Sequence, residues 1–149
     1  FKKMTKDVNL DQLQKDAVEI FNQGFACSES IIYAIKKNFE LEMSDDAIAM
    51  SSGFPWGLGG GGCICGALAG GTMCIGLLFR KEKLQGDPKI NKCFQLTKEL
   101  HDFFRETCGG TCCRILTKER KNSPERKEQC TKFVTATVKK TAEIILREL

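Results

Sequence analysis

The chain's capacity for chemistry lies in its nine cysteines, spread over 149 residues. Three of them enter together: Cys63 to Cys74 reads Cys-Ile-Cys-Gly-Ala-Leu-Ala-Gly-Gly-Thr-Met-Cys, directly after the glycine run that ends at Gly62. A segment so poor in bulk lets other backbone pack closely against it, which shields a thiol without making it inert. In its thiolate form cysteine attacks disulfides and binds soft metals. Helix N-termini favour that form, because they carry unpaired N–H groups and partial positive charge. Cys65 is expected in the first turn of a central helix, Cys27 near the start of a second, and Cys113 just after a cap at Thr111. Of these, Cys65 is expected to have the most thiolate character, with glycine-loop amides reaching its sulfur against the opposing effect of apolar burial. Cys74 and Cys93 fall at apolar positions inside helices, where cysteine serves as small core filler.

Spacing narrows the chemistry only in part. Cys63-x-Cys65 and Cys108-x-x-x-Cys112 are not the Cys-x-x-Cys of thioredoxin-like proteins, and no βαβ pattern surrounds them. Paired zinc signatures, a ferredoxin run and the Cys-x-x-Cys-His of covalent haem attachment do not occur. His101 is the sole histidine. It lies among Leu100, Phe103 and Phe104, a setting for a surface or core residue rather than a catalytic base. The glycine run lacks the Lys-Ser/Thr of a phosphate-binding loop, and no strand precedes it. Its glycines read as permission for a sharp elbow and close backbone approach.

The elements that must position these thiols are helical. Asn9 caps a first helix whose stripe is Leu10, Leu13, Ala17, Ile20 and Phe21, ended at Gly24. Cys27, Ile31, Ala34 and Ile35 share one face of the next, running to about Asn38. Ser44 starts a short third helix, stopped by Gly53 and Pro55. The small-residue helix is expected over Cys63 to Phe79. Asp87-Pro88 opens a long helix with a stripe of Ile90, Cys93, Phe94, Leu100 and Phe104, ended by Gly109-Gly110. A short turn holding Cys112, Cys113, Ile115 and Leu116 follows, and Lys118 to Arg126 reads as an exposed polar connector. Ser123-Pro124 opens the last helix, striped by Cys130, Phe133, Val134, Thr137, Thr141, Ile144 and Ile145. No period-two strand and no repeat is present. The expected fold is all-α: a single cysteine-rich domain over residues 1–149, a compact helical bundle with a Gly-rich loop leading into a buried central small-residue helix.

Composition agrees with a soluble globular protein, at 42% hydrophobic and 28% charged residues. The net charge is +4, with ten Lys/Arg against five Glu after Cys113. Interspersed glutamates make that end a solvated face, so nucleic acid is not an expected partner. An odd cysteine count argues against a fully paired secreted framework and for reduced thiols in a cytoplasmic setting. Residues 1–14 show no apolar signal core, although Phe1 is not an initiator, which leaves the true start open. Ser51 to Phe79 runs 29 residues without a charge. Ten glycines and Pro55 within it favour a buried helix over a membrane span.

With these residues laid out, the chain resembles the redox-active C_GCAxxG_C_C family, known by a Cys-Gly-Ala-x-x-Gly motif and four scattered cysteines. The resemblance rests on Phe21-Asn22-Gln23-Gly24-Phe25-Ala26-Cys27, on Gly53-Phe54 with the glycine loop, and on Cys65-Gly66-Ala67-Leu68-Ala69-Gly70-Gly71. It continues through Cys113-Arg114-Ile115-Leu116 to Cys130, covering about Phe21 to Glu148. It implies a compact helical domain and bacterial or archaeal anaerobic redox physiology, at times beside transporter genes. Gly62, Gly66, Ala67 and Gly70 are then the loop and helix-start residues of the site. This chain adds Cys63, Cys74, Cys93, Cys108 and Cys112, of which Cys63, Cys112 and Cys108 are candidate additional site thiols.

Two functions of different class follow. In the first, Cys27, Cys65, Cys113 and Cys130 converge at the helix junction. They carry out thiol–disulfide exchange, without a cofactor, or ligate an iron–sulfur or other thiophilic metal centre. Exchange is favoured because no compact ligand run is present, and the partner is a redox partner that the sequence does not name. In the second, the protein is a non-catalytic partner of a membrane transporter, a reading supported by the uncharged segment with Gly66-x-x-x-Gly70 and the basic C-terminal end. A homodimer is compatible with either.

Overall fold

Helix boundaries follow the capping residues. The computed structural model describes residues 4–80, 88–117 and 124–149. Asn9 accepts the Gln12 N–H at 3.0 Å and starts α1 (Leu10–Asn22). The Ala26 N–H donates to the Glu29 carboxylate at 3.2 Å at the start of α2 (Cys27–Phe39). Ser44 caps α3 (Asp45–Ala49) through the Ala47 N–H. Next comes a short turn, α4 (Pro55–Leu58), which holds Trp56 and Gly57 at positive φ. The glycine loop leads to α5 (Gly66–Leu78), followed by α6 (Pro88–Cys108), α7 (Cys113–Thr117) and α8 (Pro124–Glu148). The described residues contain no strand, so the all-α architecture read from the sequence is the observed one.

At the centre is α5, packed against α2, α6 and α8. Its smallness is what admits them. A Cβ at Gly70 would stand 2.7 Å from the Ser28 carbonyl oxygen and 3.0 Å from the Ser28 Cα, so α2 lies at backbone contact with this helix. Around it the core is closed by Ile31, Ile35, Leu68, Ile75, Leu100, Phe104, Val138 and Ile145. Polar ties add register. Buried Asp16 on α1 accepts from Asn38 of α2 and from Gln12, each at 2.9 Å. Burial opposes its charge, but these bonds and Lys37 outweigh it and hold the carboxyl below the usual range. Arg147 of α8 grips Glu99 of α6 through two parallel bonds of 2.8 and 2.7 Å.

Three expectations are corrected. The central helix begins at Gly66 rather than Cys63, and Cys65 is its N-cap residue in extended backbone rather than a first-turn residue. Phe94 is 63% exposed and not part of the α6 stripe. It lies six residues from Leu100, a rotation of about 600°, which turns it away from the face that buries Leu96, Leu100 and Phe104. Arg126, assigned to an exposed connector, is a buried residue of α8 at 8% exposure. The rest of that connector, together with Asp87 and Ser123, lies outside the described residues, as does the side chain of Ile90. No helix among the described residues is long and apolar enough to cross a membrane. The uncharged segment is instead divided between the glycine turn and buried α5.

Candidate functional site

Four thiols from four helical segments meet at one cavity of about 840 Å³. Cys27 opens α2, Cys65 immediately precedes α5, Cys113 opens α7, and Cys130 lies in the second turn of α8. Their convergence depends on Gly66: a Cβ there would stand 2.3 Å from the Cys27 sulfur. Even alanine at this position would displace a site thiol. Ala67, the next residue of the motif, also lines the cavity.

Two bridges hold the start of α5 against the start of α7. The Cys65 N–H donates to the Thr111 carbonyl at 2.8 Å. Beside it, Cys63 and Cys112 form a disulfide with their Cα atoms 4.2 Å apart. Cys63 is exposed and Cys112 half-buried; Cys112 adjoins cavity Cys113 in sequence, and Cys63 lies two residues before Cys65. The odd cysteine count argued against a fully paired framework; the structure joins two cysteines and leaves the other seven outside any disulfide.

Electrostatics distinguish the cavity thiols. Burial pushes Cys27 up to about 12, and the nearby Cys130 and Cys113 push the same way, against N–H donors from Ser28 and Cys27. Cys65 is raised most by burial and next by Cys27. The N–H groups of Ala67 and Leu68 reach its sulfur but do not compensate. The expectation that Cys65 has the most thiolate character is therefore not met: the donors arrive as anticipated, and desolvation outweighs them. Cys130 is also raised by burial, here opposed by a hydrogen bond from Arg126.

Arg126 is the residue that sequence reasoning missed. Its Nη2 donates to the Cys113 sulfur at 2.9 Å, and its guanidinium carbon stands 3.6 Å from the centroid of the Trp56 ring. A buried cation in contact with sulfur can balance negative charge that develops there. One signal was available. Arg126 and Cys130 are four residues apart on a helix, which places them on the same face. Trp56, the only tryptophan, is 41% exposed on the cavity wall, held there at φ 63.

The remaining candidates lie elsewhere. Cys74 is buried in the core, where burial raises it to about 12. Cys93 and Cys108 are half-buried on α6 and are not among the described residues that line the cavity. His101 is partly exposed, with its Nδ1 2.9 Å from Asp102. Among the described residues, no three or more of His, Cys, Asp and Glu are placed to close on one ion. As placed, the cavity thiols therefore do not form a ready ligand set for a thiolate-bound metal centre.

Fold and site together define an all-α protein whose dispersed cysteines gather at one cavity. Residues 25–144 match the family described as "Putative redox-active protein (C_GCAxxG_C_C)", and the chain belongs to that family. The family label spells its central motif Gly-Cys-Ala-x-x-Gly, whereas this chain reads Cys65-Gly66-Ala67-Leu68-Ala69-Gly70. No curated protein and no solved structure matches the chain.

Proposed function

We propose that this protein is a dithiol–disulfide redox protein in which Cys113 and Cys130 exchange with a partner disulfide. The observation that carries this reading is the Arg126 guanidinium, bonded to the Cys113 sulfur and also to Cys130 at the wall of a cavity shared by four thiols. Cys113 as thiolate attacks one sulfur of the partner disulfide, forming a mixed disulfide and expelling one partner thiolate. Cys130 then attacks the Cys113 sulfur, closing Cys113–Cys130 and releasing the second partner thiolate. Two electrons pass to the partner, whose disulfide becomes two thiols that take up the two protons left by the cysteines. Arg126 balances charge on the attacking sulfur, and Trp56 and Leu116 give the cavity an apolar wall beside it. Cys65 feels Cys27 before any other thiol, and Cys27 in turn feels Cys130 and Cys113, which supports passage of oxidation among the four.

Stopped-flow reaction of the anaerobically reduced double variant Cys63→Ser with Cys112→Ser, which lacks the Cys63–Cys112 bridge, with a small disulfide tests this reading. A fast phase releasing two partner thiols per chain is expected. Cys130→Ser should stop at one, with a trapped mixed disulfide on Cys113. A fast phase that survives Cys113→Ser would overturn the assignment.

A further inference from the structure

Cys63 and Cys112 take no part in the exchange described above, yet they stand between solvent and its thiols. Cys63 is exposed and Cys112 half-buried, whereas Cys113 is buried in the cavity wall. The Cys112 carbonyl accepts the Ile115 and Leu116 N–H groups at 3.0 Å, so the first turn of α7 closes on Cys112 while Cys113 opens the helix. Two adjacent sulfurs are thereby parted: one is joined to an exposed residue, the other belongs to the cavity lining. The Cα atoms of Cys63 and Cys112 are 4.2 Å apart. One further peptide step keeps the Cys113 Cα within about 8 Å of that of Cys63. Disulfides span up to about 6.8 Å between Cα atoms, so little further approach is needed. Glycines can supply it. Gly59, Gly60 and Gly62 precede Cys63 at positive φ, and a Cβ at Gly59 or Gly60 would meet nothing within 4 Å. An exposed disulfide is also the exchangeable kind, because an outside thiolate must reach its sulfur to attack.

We infer that Cys63 and Cys112 are a second, outward-facing redox pair, which takes up the oxidation left in the cavity and passes it to an external dithiol. The inference rests on the thiol-exchange reading above, which ends with Cys113–Cys130 closed. With the outer pair reduced, the Cys63 thiolate attacks the Cys113 sulfur, forming Cys63–Cys113 and expelling the Cys130 thiolate. The Cys112 thiolate then attacks the Cys63 sulfur, closing Cys63–Cys112 and releasing the Cys113 thiolate. Cys113 and Cys130 take up the two protons that Cys63 and Cys112 give up, so two electrons move inward and the disulfide moves outward. The state reached is the one observed, with Cys63 joined to Cys112 and Cys113 outside any disulfide. An external dithiol reduces the exposed bridge by the same two kinds of step, at a sulfur that a reductant too large for the cavity can touch.

A dithiol held on agarose beads by a short linker, and so kept out of the cavity, tests the inference with a small disulfide as substrate. The full chain should turn over repeatedly, releasing partner thiols above the rate of the beads alone. The double variant Cys63→Ser with Cys112→Ser should give one burst of two partner thiols and stop. Sustained turnover by that variant would overturn the inference. Reach is read separately in Cys112→Ser with Cys130→Ser, reduced, given one equivalent of diamide, quenched in acid, alkylated and mapped. Cys63–Cys113 is the expected product, since each sulfur has lost its usual mate; Cys63 recovered only as an alkylated thiol would contradict the inference. The two readings fail differently. No burst from a double variant with unchanged helical circular dichroism removes the proposed function, and the diamide product then decides the outer pair alone. A burst without turnover in the unsubstituted chain keeps the proposed function and removes the outer pair.

Discussion

At the scale of single residues, two cysteines contrast in their surroundings. Cys74 is fully buried, and desolvation alone raises its thiol to about 12 from an ordinary value of 9.0. Above pH 9 the unfolded chain therefore loses this proton while the folded chain keeps it. The corresponding stability is complete below pH 9 and is lost as pH rises through about 12. Anaerobic urea unfolding should show stability falling across that window. Cys74→Ala should flatten the fall, at a cost near neutrality of about 1 kcal/mol for the lost sulfur contacts; an unchanged slope would contradict the assignment. Cys113, by contrast, lies against a guanidinium. Arg126→Gln should slow alkylation of Cys113 by about tenfold at neutral pH, read by peptide mapping, with Cys74 unaffected. The sequence displayed the cysteines but not this cation. A basic residue beside Ser-Pro looks like a solvated connector, and only its helical register with Cys130 marks it as inward-facing.

Elements made the fold legible. Asn9, Ser44 and Pro88 each begin a helix where cap chemistry placed them, and the shallow residues of α5 sit at the centre as expected. Its start was less legible. Cys63 to Cys65 continue the apolar composition of the helix, but tertiary ties to Thr111 and Cys112 hold them outside it, with Cys65 in extended backbone. The Phe94 error has the opposite origin, since an aromatic was assigned to a stripe by type rather than by angle. Two glycine substitutions separate packing from chemistry. Gly70→Leu would drive a side chain into the Ser28 backbone and should cost ~1–3 kcal/mol in urea unfolding. Gly66→Ala meets chiefly the Cys27 sulfur, the end of a short side chain. It should alter Cys27 labelling while moving the urea midpoint less than Gly70→Leu does.

For the whole molecule, the Cys63–Cys112 bridge spans 49 residues and ties the entrance of α5 to the entrance of α7. Chain-entropy arguments give such a link ~2–4 kcal/mol. The double variant Cys63→Ser with Cys112→Ser should unfold at correspondingly lower urea. Denatured, unreduced protein should titrate seven thiols, and reduced protein nine. That Cys63 and Cys112 would pair was not legible, because 49 residues of chain separate them and spacing carries no distance between helices. Convergence of Cys27, Cys65, Cys113 and Cys130 is the central claim, and disulfide mapping after limited oxidation tests it most directly. The double variant, fully reduced and given one equivalent of oxidant per chain, is alkylated, digested without reductant and analysed by mass spectrometry. The expected result is a single new disulfide joining two of those four cysteines, Cys113–Cys130 foremost, with Cys74, Cys93 and Cys108 alkylated. Oxidation that instead falls on Cys93 or Cys108, while the four cavity thiols remain free, would contradict it.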